Sequence, residues 1–371
     1  MTDTKVPSYT EVSAKDTCTQ TTSHAPTETR GNVQSPALDR RGFLSACGCC
    51  VTLAVSTSGL TILCEAAKAE AAVSDKVLKV GHLPAGCVSH VLLAKARNMF
   101  TEAGLNVELT QFNGPADNLQ ALVSGSIHAM HNPWTTTMAA YGKGTKDLRI
   151  VGGSGLAGVE LVARSGSVTN AQEFIEAAGS GLKVGTLRLD TMELVAFGTM
   201  AQYGKSYDDY AMTFFPSMVG MGEALTSGSV DVCTLVQPYA ESVVKQAGGV
   251  YLADSNDVWG PEAPDCVITS TTEMLESDSE LLTAYMDVLA KAAKTFYDDF
   301  ESALDDLTPM YNVPREILAI ALKRQSPDPV INAAGASGIR GGVKHLMELG
   351  YFDRNIADEV LDLKYQPGVL T

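Results

Sequence analysis

The sequence predicts an α/β protein with two similar lobes, each built on a mostly parallel sheet and joined by a two-strand hinge. Three observations lead to this prediction. Segments of the chain recur at a nearly constant offset, strand and helix patterns alternate within each copy, and 371 residues suit about two domains. A composition of 45% hydrophobic and 19% charged residues is sufficient for a large core.

The duplication consists of three matched segments. Residues 78–83 (LKVGHL) recur as 182–187 (LKVGTL), and 121–128 (ALVSGSIH) recur as 224–231 (ALTSGSVD). Asn132-Pro133-Trp134 corresponds to Gln237-Pro238-Tyr239. The offsets are 104, 103 and 105 residues, so the matches keep both order and spacing. Two lobes of the same layout are therefore expected.

Each copy alternates short apolar runs with segments of helical periodicity. The first copy predicts strands at 76–82, 107–112 and 127–131 and helices at 89–101, 117–125 and 135–141. The second predicts strands at 182–187, 212–215 and 230–235 and helices at 191–203, 217–227 and 239–247. Such alternation favours parallel βαβ units covered on both faces.

The remaining segments complete the predicted lobes. Strands are expected at 148–151, 159–164 and 266–270, and helices at 279–299, 314–323, 340–349 and 355–363 pack on lobe 1. These elements place lobe 1 at 76–164 plus 266–371 and lobe 2 at 165–265. The glycine-rich stretch 152–158 is expected to be flexible, near the hinge or the ligand. Two independent domains joined once are the alternative.

Residues 1–71 are interpreted as a disordered leader with an export signal. Arg40-Arg41 precedes a weakly apolar stretch and Ala-x-Ala cleavage candidates, an order that resembles a twin-arginine signal. A chance arginine pair before a core helix is the alternative. The signal predicts use of the twin-arginine export machinery and a mature protein on the periplasmic or extracellular side. Cys47 and Cys64 are candidate lipidation sites, although soluble release is favoured.

Charge and cysteine content exclude several classes. Lys+Arg 27 against Asp+Glu 43 gives −16, which argues against a nucleic-acid partner. No apolar run reaches the roughly 20 residues that cross a bilayer. After the leader, Cys87, Cys233 and Cys266 permit at most one bridge and a free thiol, and whether they pair stays open.

The expected ligand site lies beyond the carboxyl ends of the strands. The loops after the first strands contain Arg188, a candidate charge partner with a surface arginine as the alternative. After the third strands, an amide, a proline and an aromatic ring form two matched rims, with Trp134 as a ring contact or a core residue. Helix N-termini favour an anionic group, and the hydroxyls of Ser89, Thr135 and Thr191 are candidate donors.

Residues 81–83 (GHL), 94–104 (AKARNMFTEAG) and 121–127 (ALVSGSI) resemble the solute-binding proteins for nitrate, aliphatic sulfonates, taurine and thiamine-pyrimidine precursors. The resemblance covers roughly residues 76–300 and implies a type II periplasmic-binding fold and an ABC permease and ATPase as partners. We expect a small, anionic or polar ligand, no cofactor and a monomer. The family usually has Asp where this chain has His128. The ligand contacts expected from the loops and the resemblance are Leu83, Pro84, Cys87, Ser89, His90, Asn132, Trp134, Thr135, Gly155, Leu156, Thr186, Arg188, Thr191, Gln237 and Tyr239.

Enzyme functions are not favoured by the motifs. The stretch 152–158 lacks the Gly-Lys-Ser/Thr of a P-loop, and no nucleophile elbow or His-Glu-x-x-His occurs. His82, His90, His128, His131 and Cys87 cluster in one lobe without a compact metal-ligand spacing, so no metal is expected. Two alternatives remain open: a cofactor-biosynthesis enzyme on the same fold, and a sensing module for a membrane receptor.

Overall fold

The computed structural model describes residues 75–368. Its strands are β1 (Val77–His82), β2 (Asn106–Gln111), β3 (Ala129–Pro133), β4 (Leu148–Leu156), β5 (Val159–Ala163), β6 (Lys183–Thr186), β7 (Ala211–Phe214), β8 (Val232–Val236), β9 (Val250–Asp254), β10 (Pro264–Thr271) and β11 (Ser326–Pro327). Its α-helices are α1 (Ser89–Ala96), α2 (Met99–Glu102), α3 (Pro115–Val123), α4 (Trp134–Gly142), α5 (Ala171–Glu176), α6 (Thr191–Ala201), α7 (Met218–Thr226), α8 (Tyr239–Ala247), α9 (Ser255–Trp259), α10 (Thr272–Asp298), α11 (Phe300–Tyr311), α12 (Arg315–Arg324), α13 (Ala333–Glu348) and α14 (Ala357–Val360). The predicted export signal and lipidation sites lie outside the described residues.

The strands form two sheets, which define the two lobes of the molecule. Lobe 1 is built on the order β11-β4-β10-β3-β1-β2, and lobe 2 on the order β7-β6-β8-β5-β9. In each sheet the first strand of the repeat pairs in parallel with the second and third strands. An antiparallel strand, β10 or β5, follows the third. The predicted fold class is confirmed.

The duplication extends to the pairing register. In lobe 1, Val80 lies opposite Ala129, and in lobe 2, Val184 lies opposite Val232. Apolar side chains at these central positions are fully buried because helices cover both faces of each sheet. Matched sequence segments therefore occupy matched places in the two sheets.

The lobe boundary differs from the prediction for one strand. The range 159–164 was placed in lobe 1, but β5 pairs with β8 and β9 and belongs to the sheet of lobe 2. The first crossing is consequently Ala157–Gly158, where both residues have positive φ. The chain returns between β9 and β10, and then adds β11 to the edge of β4.

The C-terminal helices do not all pack on lobe 1 as predicted. α10 and α11 cover α1 of lobe 1, whereas α13 contacts α6 and α9 as well as α4. Ile339 and Val343 of α13 share one apolar core with Trp134 of lobe 1 and Leu194 of lobe 2. Burial of apolar surface is non-directional, so one amphipathic helix can satisfy two neighbouring cores at once.

The glycine-rich stretch 152–158 is mostly strand and not a flexible loop. It extends β4 as far as Leu156, and its residues up to Gly155 are buried. A Cβ at Gly155 would lie 2.7 Å from the Cα of Cys87, so the glycine allows the loop after β1 to pack directly on the strand.

No helix within residues 75–368 is both long and apolar enough to cross a membrane.

Candidate ligand-binding site

A cavity of about 700 Å³ lies between the two sheets. Its wall is formed by loops and helix starts that follow the strands of both repeats, together with residues at the crossings. These residues are Leu83–Ala85, Asn113–Asp117, Leu119, Gln120, Val123, Pro133, Thr136, Ala139, Ala140, Lys143, Thr145, Val159, Leu187–Met192, Phe215–Met218, Val236, Asp265, Cys266 and Gln325. The volume suits a small organic molecule.

The loops after β1 and β6 face this cavity, as the strand-end rule predicts. The structure places Leu83, Pro84, Arg188 and Thr191 of the predicted contacts in the cavity wall. The Arg188 guanidinium stacks 3.8 Å from the centre of the Phe214 ring, which holds the cation at the mouth of the cavity.

The loops after β2 and β7 also line the cavity and were not predicted. In lobe 1, Gly114 precedes α3 without a side-chain cap and Pro115 occupies its first position. In lobe 2, Ser217 caps α7 by accepting a hydrogen bond from the Gly220 N–H at 3.2 Å. The strand-end rule applies to every parallel strand of a sheet, so it could have identified these loops.

The two predicted rims after the third strands support the cavity wall and do not form it, apart from Pro133. Asn132 is fully buried and donates to the Pro115 carbonyl at 3.2 Å. The Tyr239 hydroxyl donates to the Val219 carbonyl at 3.2 Å. Each rim thus anchors the first turn of the helix that lines the cavity in its own lobe.

Several predicted contacts are packed behind the wall. Trp134 is fully buried, with its ring centre 5.8 Å from that of Trp259 in an edge-to-face pair, so its core-packing alternative applies. The buried Thr186 hydroxyl shares a hydrogen bond with Thr234 at 2.9 Å. The predicted contacts that the structure does not bring into the wall are Cys87, Ser89, His90, Asn132, Trp134, Thr135, Gly155, Leu156, Thr186, Gln237 and Tyr239.

Two of the three predicted hydroxyl donors lie apart from the cavity wall. Ser89 Oγ and Thr135 Oγ1 are buried and have no hydrogen-bond partner among the described residues. Thr191 lines the cavity, and its hydroxyl donates to Asp190 at 3.3 Å. Asp190 also accepts from the Met192 N–H at 2.9 Å, so this carboxyl already caps α6.

The charges around the cavity are unevenly distributed. Arg188, Lys143 and Asp117 are exposed, whereas Asp190 and Asp265 are buried. Burial raises the pKa of Asp190 to about 6, against the opposing hydrogen bond from Met192. The exposed charged groups of the wall are thus two cations and one carboxylate, and its other two carboxyls are buried.

Asp265 and Gln325 meet at the inner end. Gln325 Nε2 donates to the Ala157 carbonyl at 2.9 Å and to Asp265 Oδ2 at 3.0 Å. Asp265 Oδ1 and Gln325 Oε1 are buried and have no partner among the described residues. Burial raises the pKa of the Asp265 carboxyl well above its ordinary value, and the nearby Ser255 and Gln325 side chains oppose that rise.

The histidines of lobe 1 form a hydrogen-bonded and packed group. His131 shares hydrogen bonds with Ser154 Oγ at 2.6 Å and Tyr285 OH at 2.8 Å, and its ring centre lies 5.9 Å from that of His90. Burial lowers the pKa of His90 to about 3. Within residues 75–368, no group of three or more His, Cys, Asp or Glu side chains is arranged to hold a metal ion.

The two lobes touch at the edge of the cavity. The Gly86 N–H of lobe 1 donates to the Gln237 carbonyl of lobe 2 at 2.8 Å, and Thr136 Oγ1 donates to the Leu189 carbonyl at 3.0 Å. Gln237 thus contributes its backbone to the lobe contact, while its side-chain amide donates to Glu160 at 3.2 Å. These contacts close the cavity on the sides where the rims meet.

The two-sheet architecture is the periplasmic binding protein fold. Solved structures with this fold include the ligand-binding component of an ABC-type import system from Staphylococcus aureus with zinc bound (20% identity, TM-score 0.69, covering 79% of this chain and 99% of that one). The periplasmic aliphatic sulphonate-binding protein of Escherichia coli is similar at 17% identity and TM-score 0.66, over 77% of this chain and 92% of that one. The periplasmic nitrate-binding protein of Synechocystis PCC 6803 is similar at 15% identity and TM-score 0.65, over 79% and 88%.

The family is shown by the sequence itself. The profile of the NMT1-like family matches residues 71–305, and this chain belongs to that family. The family resemblance predicted from residues 81–127 is thereby confirmed. No curated protein sequence matches the chain.

Proposed function

We propose that this chain is an exported solute-binding protein that captures a small polar or anionic molecule between its lobes for the permease and ATPase of an ABC-type importer. The observation that carries the proposal is the cavity whose wall comes from equivalent loops of both repeats. The structurally similar proteins from Staphylococcus aureus, Escherichia coli and Synechocystis are binding proteins or binding components, which supports the proposal. In this proposal the protein binds and releases its ligand without changing it chemically.

The lobes move about the crossings in this proposal. β4 passes into β5 through two positive-φ residues, and the chain crosses back to lobe 1 before β10. The rim contacts Gly86–Gln237 and Thr136–Leu189 form in the closed state and separate in the open state. α13 contacts both lobes and limits how far they part.

Arg188 is the proposed partner of the ligand's anionic group. Arg188 lines the cavity and its guanidinium carries a permanent charge. Lys143 is a second cation of the wall, and Asp117 in the first turn of α3 partly opposes them. Arg188→Gln removes the charge without disturbing a buried contact. We expect at least about tenfold weaker binding of an anionic ligand, the effect of one lost charge-assisted hydrogen bond.

Thermal-shift screening followed by calorimetry tests the proposal. A panel of nitrate, alkanesulfonates and pyrimidines is offered to the wild type, to Arg188→Gln and to Lys344→Gln, an exposed cation on α13. A ligand that binds only the folded state raises the melting temperature. Binding without conversion, measured by mass spectrometry of the recovered ligand, supports the proposal. Conversion of the ligand favours the enzyme alternative instead.

Export is tested separately. Arg40 and Arg41 are both replaced by Lys, and the protein is followed in fractionated cells by immunoblot and N-terminal sequencing. We expect the wild type outside the cytoplasm with an N-terminus near residue 71 and the double variant retained as the full-length chain. Equal export of both proteins would contradict the twin-arginine route.

A further inference from the structure

Two cysteines of lobe 1 lie side by side next to the cavity. Cys87 is in the short turn after β1, and Cys266 is on β10, where it also belongs to the cavity wall. Both are free thiols in the structure, both are buried, and they share one apolar core. The two thiols hydrogen-bond to each other. The fold therefore holds in contact two thiols that are far apart in the sequence.

The pairing of β4 with β10 brings these side chains together. Cys266 lies opposite Gly155, and residues opposite each other in an antiparallel pair project from the same face, with Cβ atoms about 4.5–5.5 Å apart. A Cβ at Gly155 would lie 2.7 Å from both the Cα and the Cβ of Cys87. Cys87 therefore fills the space that a side chain at position 155 would need, directly beside Cys266. This packing suits the close approach of a disulfide, whose Cβ atoms lie about 3.5–4.5 Å apart.

The turn that contains Cys87 is fixed by hydrogen bonds to its backbone. Ser154 Oγ donates to the Cys87 carbonyl at 2.9 Å, and Tyr311 OH donates to the Ala85 carbonyl at 3.1 Å. A disulfide is free of strain only where the backbone already presents both cysteines. The backbone here holds Cys87 against the strand that contains Cys266.

The remaining cysteine among residues 75–368 has different surroundings. Cys233 is buried on β8 of lobe 2 and belongs to another apolar core. Burial raises the pKa of the Cys233 thiol, whereas the pKa of Cys266 is raised first by the hydrogen bond with Cys87 and then by burial. Cys87 and Cys266 are therefore the two thiols that the fold brings into contact.

We propose that Cys87 and Cys266 are joined by a disulfide in the exported protein, and that Cys233 stays a free thiol. The proposal rests on the proposed export, because disulfides persist in oxidising compartments outside the cytoplasm. Closing the bridge removes two protons and two electrons from the thiols, and a disulfide-bearing oxidant accepts them. One cysteine thiolate attacks the S–S bond of the oxidant and releases a first thiol. The other cysteine then attacks the mixed disulfide at the first cysteine's sulfur and releases a second thiol.

This exchange takes place while the chain folds. In the folded protein both sulfurs are buried, and the raised pKa of Cys266 disfavours the thiolate that attacks a disulfide. The same burial protects the finished bridge from attack by external thiols.

The bridge joins the loop that meets lobe 2 to the strand on which the chain returns from lobe 2. Leu83–Ala85 line the cavity, and the next residue, Gly86, donates its N–H to the Gln237 carbonyl of lobe 2 at 2.8 Å. Cys87 follows directly, and Cys266 lies near the start of β10. The disulfide therefore keeps this part of the cavity wall on lobe 1 when the lobes separate.

Disulfide mapping of the full chain tests the bridge in two preparations. One is the protein recovered from outside the cytoplasm. The other is the full chain purified in reduced, denatured form and refolded with oxidised and reduced glutathione. Free thiols are alkylated in denaturant, and the protein is digested without reductant and analysed by mass spectrometry. We expect a linked peptide pair containing Cys87 and Cys266, and an alkylated Cys233.

Melting temperatures show whether the bridge belongs to the native fold. Wild type refolded with glutathione should melt about 3–6 °C above wild type refolded in excess reductant, the shift that a typical disulfide gives in a chain of this size. Cys266→Ser should abolish that difference. Cys233→Ser is the control that removes a buried thiol outside the pair, and it should keep the difference.

The refolded preparation depends neither on export nor on a ligand, and the wild-type mapping does not depend on any variant folding. Alkylation of both Cys87 and Cys266 in the refolded protein overturns the bridge and leaves the proposed function intact. A link from either of them to Cys233 or to a cysteine of the leader also overturns it, as does a melting shift that persists in Cys266→Ser. A refolded protein that contains the bridge but binds no ligand contradicts the proposed function alone.

Discussion

Arg324 donates two hydrogen bonds to the carboxylate of Glu160, from Nε at 2.6 Å and from Nη2 at 2.9 Å. Glu160 lies on β5 of lobe 2 with its side chain 1% exposed, and Arg324 ends α12. The guanidinium also stacks 3.8 Å from the centre of the Tyr251 ring. The pair therefore ties α12, which directly precedes β11 of lobe 1, to the first strand of lobe 2.

Removing Arg324 should destabilise the protein more than removing Glu160. Burial raises the pKa of Glu160, and the hydrogen bonds and charge of Arg324 oppose that rise, so the guanidinium stabilises the buried carboxylate. Arg324→Met leaves an uncompensated buried charge, which costs about 3–5 kcal/mol. Urea unfolding of Arg324→Met, Glu160→Gln and the double variant measures the coupling.

We expect the double variant to be more stable than Arg324→Met alone, since no buried charge remains. Arg324→Lys is the control that keeps the charge and loses the two parallel hydrogen bonds. It should fall between the wild type and Arg324→Met. A loss below about 1 kcal/mol for Arg324→Met would contradict a structural role for the pair.

His128 should make the wild type more sensitive to acid than a His128→Asp variant. Lys79 N–H donates to His128 Nδ1 at 3.1 Å, and in lobe 2 Lys183 N–H donates to Asp231 Oδ2 at the same distance. The histidine thus takes in lobe 1 the acceptor place that Asp231 takes in lobe 2. Burial, and then Lys79, lower the pKa of His128 below 6.5, so the folded state resists protonation.

The direction in which stability changes with pH follows from this lowered pKa of His128. As pH falls below 6.5, the unfolded chain binds a proton at residue 128 that the folded chain binds more weakly, so wild-type stability falls. Between pH 6.5 and 5, the free energy of unfolding of His128→Asp should fall less steeply than that of the wild type. The difference between the two slopes is at most about 1.4 kcal/mol per pH unit. Chemical unfolding at pH 7.5, 6 and 5 measures the difference. Parallel curves for the two proteins would contradict the acceptor role of His128.

The repeats could be predicted from the sequence because both copies preserve the same local patterns. Apolar runs such as 78–83 and 182–187 form paired central strands with matched register. The sheet that β5 joins could not be predicted, since it depends on pairing with β8 and β9, residues far along the chain. Local pattern specifies a strand but not its partner.

The sequence predicted residues of the cavity wall only where they lie in a loop directly after a strand. Arg188 lies in a loop directly after a strand, and such a loop can be located from the sequence. Asp265 and Gln325 are 60 residues apart and meet through a bulge and a chain crossing, neither of which leaves a periodic signal. Asn132 and Tyr239 were expected to touch the ligand because their motifs recur. In the structure each of them anchors a helix start behind the cavity wall.

His90 should contribute a separate loss of stability at low pH. Its imidazole is fully buried, both ring nitrogens lack a partner among the described residues, and burial lowers its pKa to about 3. As pH falls from 6.5 toward 3, the unfolded state gains a proton there and the folded state does not. His90→Leu removes this titration. The free energy of unfolding of the variant relative to wild type should therefore rise by up to about 1.4 kcal/mol for each unit that the pH falls below 6.5.

Unfolding by urea at pH 7.5 and pH 5 measures the His90 effect. At pH 7.5 the two proteins provide the internal reference, because His90 is neutral in both folded and unfolded chains. A relative stability that stays constant between the two pH values would show that His90 titrates normally. It would then have to be accessible to water in the folded protein.

The close packing of α13 on Trp134 is tested by two adjacent glycines. A Cβ at Gly342 would lie 2.9 Å from Cζ2 and Cη2 of the buried Trp134 ring, whereas a Cβ at Gly341 meets no atom within 4 Å. Both glycines lie inside α13, where Ala is favoured over Gly by about 0.5–1 kcal/mol. Gly341→Ala should therefore stabilise the protein by that amount. Gly342→Ala should instead destabilise it by about 1–3 kcal/mol, because the ring packs against Trp259 and cannot move freely.

Thermal unfolding followed by tryptophan fluorescence measures both effects, since Trp134 and Trp259 are the two tryptophans of the chain. Equal stabilisation by the two substitutions would mean that α13 does not press against lobe 1, and that the helix leaves the lobes free to separate.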